Sequence, residues 1–359
     1  MTEIELLVAL NLTGRLAGRA YEGLLQQFGS WDEVAKAGPE QLSERRVITP
    51  RVAALYVEAR AAGSAVREIE EAERLGLKLI PLCSPEYPPG LKRIYDPPLV
   101  LYVKGALLKE DALAIALVGS RRCSYYGRAR ARELSAGLAA RAVTVVSGLA
   151  HGIDGEAHRA ALDAGGRTVG VIGTGFKEFY PPGHVELAEQ IAANGAVISE
   201  FPLSAKAYPA NFPRRNRVIS GLSLGVVVIE GTAISGSLIT AAWAAEQGKE
   251  IFAVPGPVDV PTSRGPHRLI RDGAKLVETA DDILEEFPDI ARELPKATPA
   301  PALKPEEKRV LQILGREEKH IDELCVELDI DSSSLMSILL VMEMKKVIER
   351  RPGFKFARR

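Results

Sequence analysis

Cysteine is scarce in this 359-residue chain, and Cys83, Cys123 and Cys325 lie far apart with no CxxC pair among them. That spacing excludes a disulfide framework and a zinc site of ordinary ligand pattern, and it fits reduced thiols in a cytosol. Long apolar runs are missing too. The longest, at 112–118 and 224–229, reach strand length only, well short of the ~20 apolar residues of a membrane-spanning helix. The opening segment MTEIELLVALNLTG has no basic stretch and brings in Glu3 and Glu5 at once, which is not the pattern of a signal peptide. A soluble, cytoplasmic protein is expected. Net charge is nearly absent: 46 Lys and Arg stand against 47 Asp and Glu. This speaks against a uniformly basic nucleic-acid coat protein. It leaves a local basic groove open, because steering depends on where charges sit rather than on their sum.

What the chain does contain is an ordinary globular composition, 46% hydrophobic and 26% charged residues, at a length that suggests two or three domains. Residues 1–75 read as short helices. Leu6, Leu7 and Leu10, then Ala20, Leu24, Leu25 and Phe28, then Val52, Leu55 and Val57 recur at helical spacing. Gly29-Ser30, Gly38-Pro39 and Thr49-Pro50 divide the pieces and supply caps.

From about 110 to 285, β-branched runs alternate with amphipathic stretches. The pattern predicts strands at 113–118, 142–146, 167–172, 196–199, 224–230 and 250–254, and helices at 127–142, 154–164, 185–194, 213–221 and 237–247. Strands buried on both faces, each followed by a helix, mean an α/β fold with a doubly wound parallel sheet. Residues 291–305, ARELPKATPAPALKP, are rich in Pro and Ala and read as a linker. Three helical stretches and a terminal β pattern in 306–359 then make a winged helix-turn-helix, a fold that serves DNA and protein partners alike.

The chemistry-bearing residues gather where predicted strands end. Gly119 and Ser120 end the first strand ahead of a helix, with Arg121, Arg122 and Ser124 following. Five arginines and no acid occupy 121–132. Glycine allows close backbone approach, and a helix N-terminus offers free N–H groups and a favourable dipole, so phosphate binding is expected. Ser147-Gly148 end the second strand, where a dinucleotide-binding unit would carry an acid. The first turn also lacks G-x-G-x-x-G, so a dehydrogenase is disfavoured. His151 and His158 lack a third metal ligand.

Lys177 sits among Phe176, Phe179 and Tyr180, a mix suited to holding single strands without sequence readout. Phe212-Pro213 lead into Arg214, Arg215, Asn216 and Arg217, three arginines at a helix start. Cations are unfavourable at that end of the dipole, so they call for internal carboxylates or phosphate. Ser235-Gly236-Ser237 stand where a P-loop would, but Ser237 replaces its lysine, and nucleotide hydrolysis is not supported. Nothing forms a nucleophile–base pair. No catalytic residue, metal or cofactor is expected.

These runs, VGSRRCSYYG, VVSGLAHGIDGEAHRAAL, GRTVGVIGTGFKEFYPP, ISEFP, FPRRNRVISGLS, VVVIEGTAISGSLITAAWAAEQGKEIFAVPG and LIRDGA, resemble in order the DNA-processing protein A family (DprA, also called Smf). Tyr87-Pro88 and the stretch from Asp96 to Gly105 match its lead-in, and the likeness covers about residues 76–280. The resemblance implies an extended Rossmann-like domain (76–290) that dimerises and binds single-stranded DNA. Around it stand a small SAM-like helical domain (1–75) and a winged-helix domain (306–359). It further implies delivery of a RecA-type strand-exchange recombinase onto that DNA during natural transformation. Carried over, the DNA contacts are Gly119, Ser120, Arg121 and Arg122, followed by Ser147, Gly148, residues 212–217 and Lys177. His151 stands where the family usually has arginine, Gly265-Pro266-His267 replaces Gly-x-Asn, and Gly231 replaces a common alanine. Residues near Ile219 and Leu222 are candidates for the dimer surface. The rival readings are a phosphoribohydrolase-like enzyme using Asp154 or Glu230, and a winged-helix transcription regulator.

Overall fold

The computed structural model describes residues 1–14, 16–44, 46–289, 304–314, 318–345 and 347–358. The expected linker lies outside them except for its last two residues. The contacts divide the chain into two units, Met1–Lys296 and Ala297–Arg359.

The first unit opens with α1 (Glu3–Leu12), α2 (Gly18–Phe28), α3 (Trp31–Lys36), α4 (Pro39–Ser43), α5 (Pro50–Ala61) and α6 (Ser64–Arg74). Their ends follow from local chemistry. Thr2 and Glu5 form a capping box on α1, Ser30 and Thr49 cap α3 and α5, and Gly29 ends α2 in the left-handed region. Each device satisfies N–H or C=O groups that a helix end leaves unpaired.

The sheet contains β1 (Lys78–Pro81), β2 (Val100–Gly105), β3 (Ala114–Val118), β4 (Thr144–Ser147), β5 (Thr168–Val171), β6 (Ala196–Ser199), β7 (Gly225–Val228), β8 (Glu250–Ala253) and β9 (Lys275–Leu276). Their spatial order is β1-β2-β6-β5-β4-β3-β7-β8-β9. All neighbouring pairs from β6 to β9 are parallel, whereas β2 runs antiparallel to both β1 and β6. The six predicted strands are present. The antiparallel β1 and β2, and the two-residue β9, extend the sheet beyond them.

After α7 (Pro89–Lys92), the crossovers are α8 (Tyr125–Ala139), α9 (Ile153–Asp163), α10 (Val185–Asn194), α11 (Asn211–Leu222) and α12 (Gly236–Glu246). The short α13 (Arg264–Arg271) and α14 (Ala280–Leu284) follow. Strand alternation decides what each layer covers. Ile115 and Leu117 join Leu134, Leu138, Ile153 and Val227 on one face. Ala114, Ala116 and Val118 join Val218, Ile219 and Val226 on the other, in one cluster that runs on through Leu6, Leu10, Leu24 and Tyr56 of the opening helices. Ile219 is fully packed there, so it offers no surface for a second copy.

In the second unit, α15 (Pro305–Leu314), α16 (Ile321–Leu328) and α17 (Ser332–Met344) pack through Val310, Leu314, Leu324, Leu335 and Leu339. A small sheet joins β10 (Lys319–His320), β11 (Ile348–Arg351) and β12 (Lys355–Arg358) in the order β10-β12-β11. This is a winged-helix arrangement, with β10 added to the expected hairpin.

One buried carboxylate fixes α11 against β6. Glu200, just past β6, receives both Arg217 guanidinium nitrogens at 2.6 and 2.8 Å and lies 3.2 Å from Arg214. Its carbonyl accepts from Asn11 of α1 at 3.1 Å. Arg217 is 3% exposed. Removing one partner from a buried pair strands the other charge, at a cost of about 3–5 kcal/mol. Arg217→Ala is therefore expected to lower unfolding free energy by about that much in urea titration. A loss below about 1 kcal/mol would show the pair to be solvent-screened.

Candidate functional site

The parallel strands all point their carboxyl ends at one edge. The chain leaves β3 towards β4 on one side and returns to β7 on the other, so a crevice opens between the turns that follow β3 and β7. A cleft of about 560 Å³ lies there. Gly119, Ser120 and Arg121 line it after β3, Ser235, Gly236 and Ser237 after β7, and Phe212, Arg215 and Asn216 from α11. The structure thus brings together nine of the residues singled out from sequence, all from three separate loops or helix starts.

Each wall has a local cause. Ser120 Oγ accepts from Arg122 N at 3.1 Å, closing the β3 turn. Arg121 and Arg122 point out of it, exposed, and no carboxylate pairs with either among the described residues. The Arg121 guanidinium lies 5.2 Å from the centre of the Phe212 ring, within cation–π range. Phe212 in turn meets Tyr180 edge-on at 5.8 Å. Opposite, Ser235 caps α12, its Oγ 2.9 Å from Ser237 Oγ, and Asn216 Nδ2 donates to Gly236 O at 3.2 Å. The α12 N-terminus therefore opens on the cleft with its hydroxyls aligned, a ready anion seat. A Cβ at Gly231 would lie 2.6 Å from Ser237 Oγ, so glycine there leaves the serine its place.

Asp154 and Arg215 form the floor. Arg215 is buried, and its guanidinium donates to the carbonyls of Gly148, at 2.5 Å, and Val171. A Cβ on Gly148 would fall 2.5 Å from Arg215 Nη2 and 2.6 Å from Asp154 Oδ2, so glycine is what lets both charges reach the edge. Burial pushes the Asp154 carboxyl up to about 6, against the opposing pull of Arg215 and of backbone N–H groups. Burial lowers Arg215 to about 10, which leaves it charged at neutral pH.

Other sequence candidates have internal employment. Ser147 is fully buried, and its hydroxyl donates to Leu117 O at 2.6 Å. Ser124 caps α8, and its N–H and hydroxyl hold Glu230, the N–H at 2.9 Å. Arg217 and Arg214 serve Glu200, and Arg214 also donates to Gly14 O at 2.9 Å. Lys177 lies outside the cleft, 3.2 Å from Glu71. Phe176 and Phe179 pack into a side core, leaving Tyr180 as the open ring of that group. Of the five arginines at 121–132, Arg130 pairs with Glu133 at 2.5 Å and Arg132 with Glu156 at 2.9 Å. His151 is exposed and meets His184 edge-on at 4.8 Å, while His267 bonds Gly256 O at 2.9 Å. Among the described residues, no cluster of His, Cys, Asp or Glu could hold a metal ion, and no helix is long and apolar enough to cross a membrane. Asp154 is the cleft residue whose electrostatic role the sequence obscured, since its burial comes from β4 and α11 together.

Comparisons with known proteins agree with this geometry. A model of the family described as DNA recombination-mediator protein A matches residues 78–288, and one of the DprA winged helix domain matches residues 294–353. The chain is 46% identical to the DNA processing protein DprA of Bacillus subtilis over 215 residues, 60% of this chain and 72% of that protein. It is 41% identical to Protein Smf of Escherichia coli over 283 residues, 77% and 76% respectively. The X-ray structure of DprA from Streptococcus pneumoniae superposes with a TM-score of 0.67 at 33% identity, covering 80% of this chain and 98% of that one. A DprA structure from Helicobacter pylori, described for its single-stranded DNA binding mode, superposes at 0.53 with 25% identity, covering 59% and 96%. With its sheet, its winged helix and more than half its length matched, the chain belongs to the DNA recombination-mediator protein A (DprA/Smf) family.

Proposed function

We propose that this chain binds single-stranded DNA in the carboxyl-edge cleft and acts there as a recombination mediator without breaking bonds. The observation that carries this is Arg121, exposed and without a carboxylate partner, which lines the cleft with Gly119-Ser120 and the N-terminus of α12, while Arg122 stands exposed next to it. Phosphates sit on these groups and on Ser235 to Ser237, and bases stack on Phe212 and Tyr180. Arg215 and Asn216 set the floor. Ser124, Ser147, Gly148, Arg214 and Arg217 hold the walls in place, and Lys177 stands at a distance. The single-strand binding described for the Helicobacter pylori relative supports the same ligand.

We propose a wider role that family membership supports. The mediator works as a cytoplasmic homodimer and loads a strand-exchange recombinase of RecA type onto DNA entering by natural transformation. In this reading residues 1–75, 76–290 and 306–359 act as separate helical, Rossmann-like and winged-helix domains. An enzyme of phosphoribohydrolase type would need Glu230 free. Here its carboxylate is buried, held by Ser124, and set so close to α8 that a Cβ on Gly127 would lie 2.6 Å from its Oε2. A duplex-reading regulator would need cations on its third helix, and α17 contains no Lys or Arg.

Arg121→Glu with Arg122→Glu is expected to weaken single-strand binding about a hundredfold in a gel-shift titration, with melting unchanged. Wild-type affinity should fall with salt at a slope near −0.7 per phosphate contacted, and the variant's slope should be shallower by about two contacts. An unchanged shift would overturn the reading.

The Asp154 carboxyl gives a second test. As pH falls from 8 to 5 it gains a proton, the cleft loses a negative charge beside Arg121 and Arg215, and DNA affinity rises severalfold. Fluorescence anisotropy should find Asp154→Asn already tight at pH 8 and nearly flat across that range. A wild-type slope retained in the variant would place the titrating group elsewhere.

A further inference from the structure

A second depression, of about 650 Å³, lies in the first unit between α2, the start of α5 and the loop after α7. Its apolar floor is Ala17 and Val52, and its rim carries Arg19, Thr49, Tyr95 and Asp96. Resting on the reading above, we infer that this groove continues the single-strand path, with Tyr95 as a base-stacking platform.

Three observations converge on it. Tyr95 is 74% exposed, an unusual state for an aromatic ring, and the Arg19 guanidinium covers one face at 4.3 Å. A ring held that way is pre-ordered, with its other face open for a base. The segments around the groove, 16–23, 46–52 and 91–96, hold five cations (Arg19, Arg46, Arg51, Lys92 and Arg93) against two acids, Glu22 and Asp96. No carboxylate pairs with any of the five cations among the described residues, and Arg46, Arg51, Lys92 and Arg93 are all exposed. That surplus of unpartnered cations complements a phosphate backbone. Finally, Arg214 links the groove to the cleft. Arg214 follows Pro213 of the cleft lining, and its guanidinium donates to Gly14 O at 2.9 Å and to Leu16 O at 3.5 Å, Leu16 being part of the groove. A strand leaving the cleft past Arg214 is thereby led to Leu16 of the groove lining.

A length series of oligothymidylates tests this, using strands of about six and about twenty nucleotides, the range of site sizes for such grooves. In the full-length protein, Tyr95→Ala with Arg19→Ala should lower affinity for the long strand about tenfold or more and leave the short one unchanged. Arg121→Glu should weaken both. Unchanged long-strand affinity in the Tyr95 variant overturns the inference. Equal loss for both strands also overturns it, because Tyr95 would then act through the cleft or the fold, and a melting curve on the variant shows which. Unchanged DNA binding with lost recruitment of a recombinase would assign the groove to a protein and overturn it too. If Arg121→Glu changes neither strand while the Tyr95 variant changes both, the cleft reading fails and the groove alone binds.

Discussion

A carboxylate removed from water must find cations or stay protonated, and in this fold Glu200 finds two. Its ion pairs with Arg217 and Arg214 lock α11 against the end of β6, and its own carbonyl takes Asn11 from the first helix. Because α11 is fixed in rotation, the residues between those two arginines face the other way, so Arg215 and Asn216 turn to the cleft and Phe212 stands beside Arg121. The position of the ligand-facing arginine thus depends on the structural ones flanking it. Arginine suits both tasks, since its planar fork pairs bidentately with a carboxylate and stays charged when buried.

The same logic sorts the basic residues as a whole. A nearly neutral chain can still present a basic edge if its acids are spent on some cations and not on others. Glu133 and Glu156 engage Arg130 and Arg132, and Asp154 sits beside Arg215. Arg121 and Arg122 are passed over. Asp154, the acid that shares the cleft with Arg121, is buried beside Arg215 behind Gly148, and Glu230 is occupied by Ser124. At this edge the free cations are therefore few but adjacent, and they lie where backbone N–H groups already favour an anion.

Much of this was readable in the chain. The strands and crossover helices of the central region fall within a few residues of their expected places, because β-branched runs bounded by glycine turns leave little choice. The β3 turn and the Ser235 to Ser237 turn were legible for the same reason: position at a strand's carboxyl end is a topological fact that sequence order carries. Partnership was not. Arg214, Arg215 and Arg217 look alike in the sequence, and Glu200 lies 17 residues before Arg217 across a loop. Ser147 reads as a turn hydroxyl until the strand beside it supplies Leu117 O. The strand β2 escaped notice although Leu99 to Val103 are apolar, since it joins antiparallel and no crossover helix announces it. Likewise the opening helices show amphipathic spacing without showing that the sheet itself is what they cover.

Holding and breaking a phosphate ester make different demands on an edge of this kind. Cleavage needs a base or nucleophile oriented on the scissile group, or charge fixed where it develops in the transition state. Here the two acids nearest the edge are withdrawn from such work in different ways. Glu230 is sealed under Ser124, and Asp154 faces Arg215 from behind Gly148, with its carboxyl raised towards neutrality by burial. Such an acid gives up its negative charge as pH falls towards 6, which relieves its repulsion of an arriving phosphate. What remains are arginines, glycine turns, hydroxyls and aromatic rings, a set that gains free energy by displacing counterions and stacking bases. Such a surface can hold a phosphate-bearing ligand and release it unchanged.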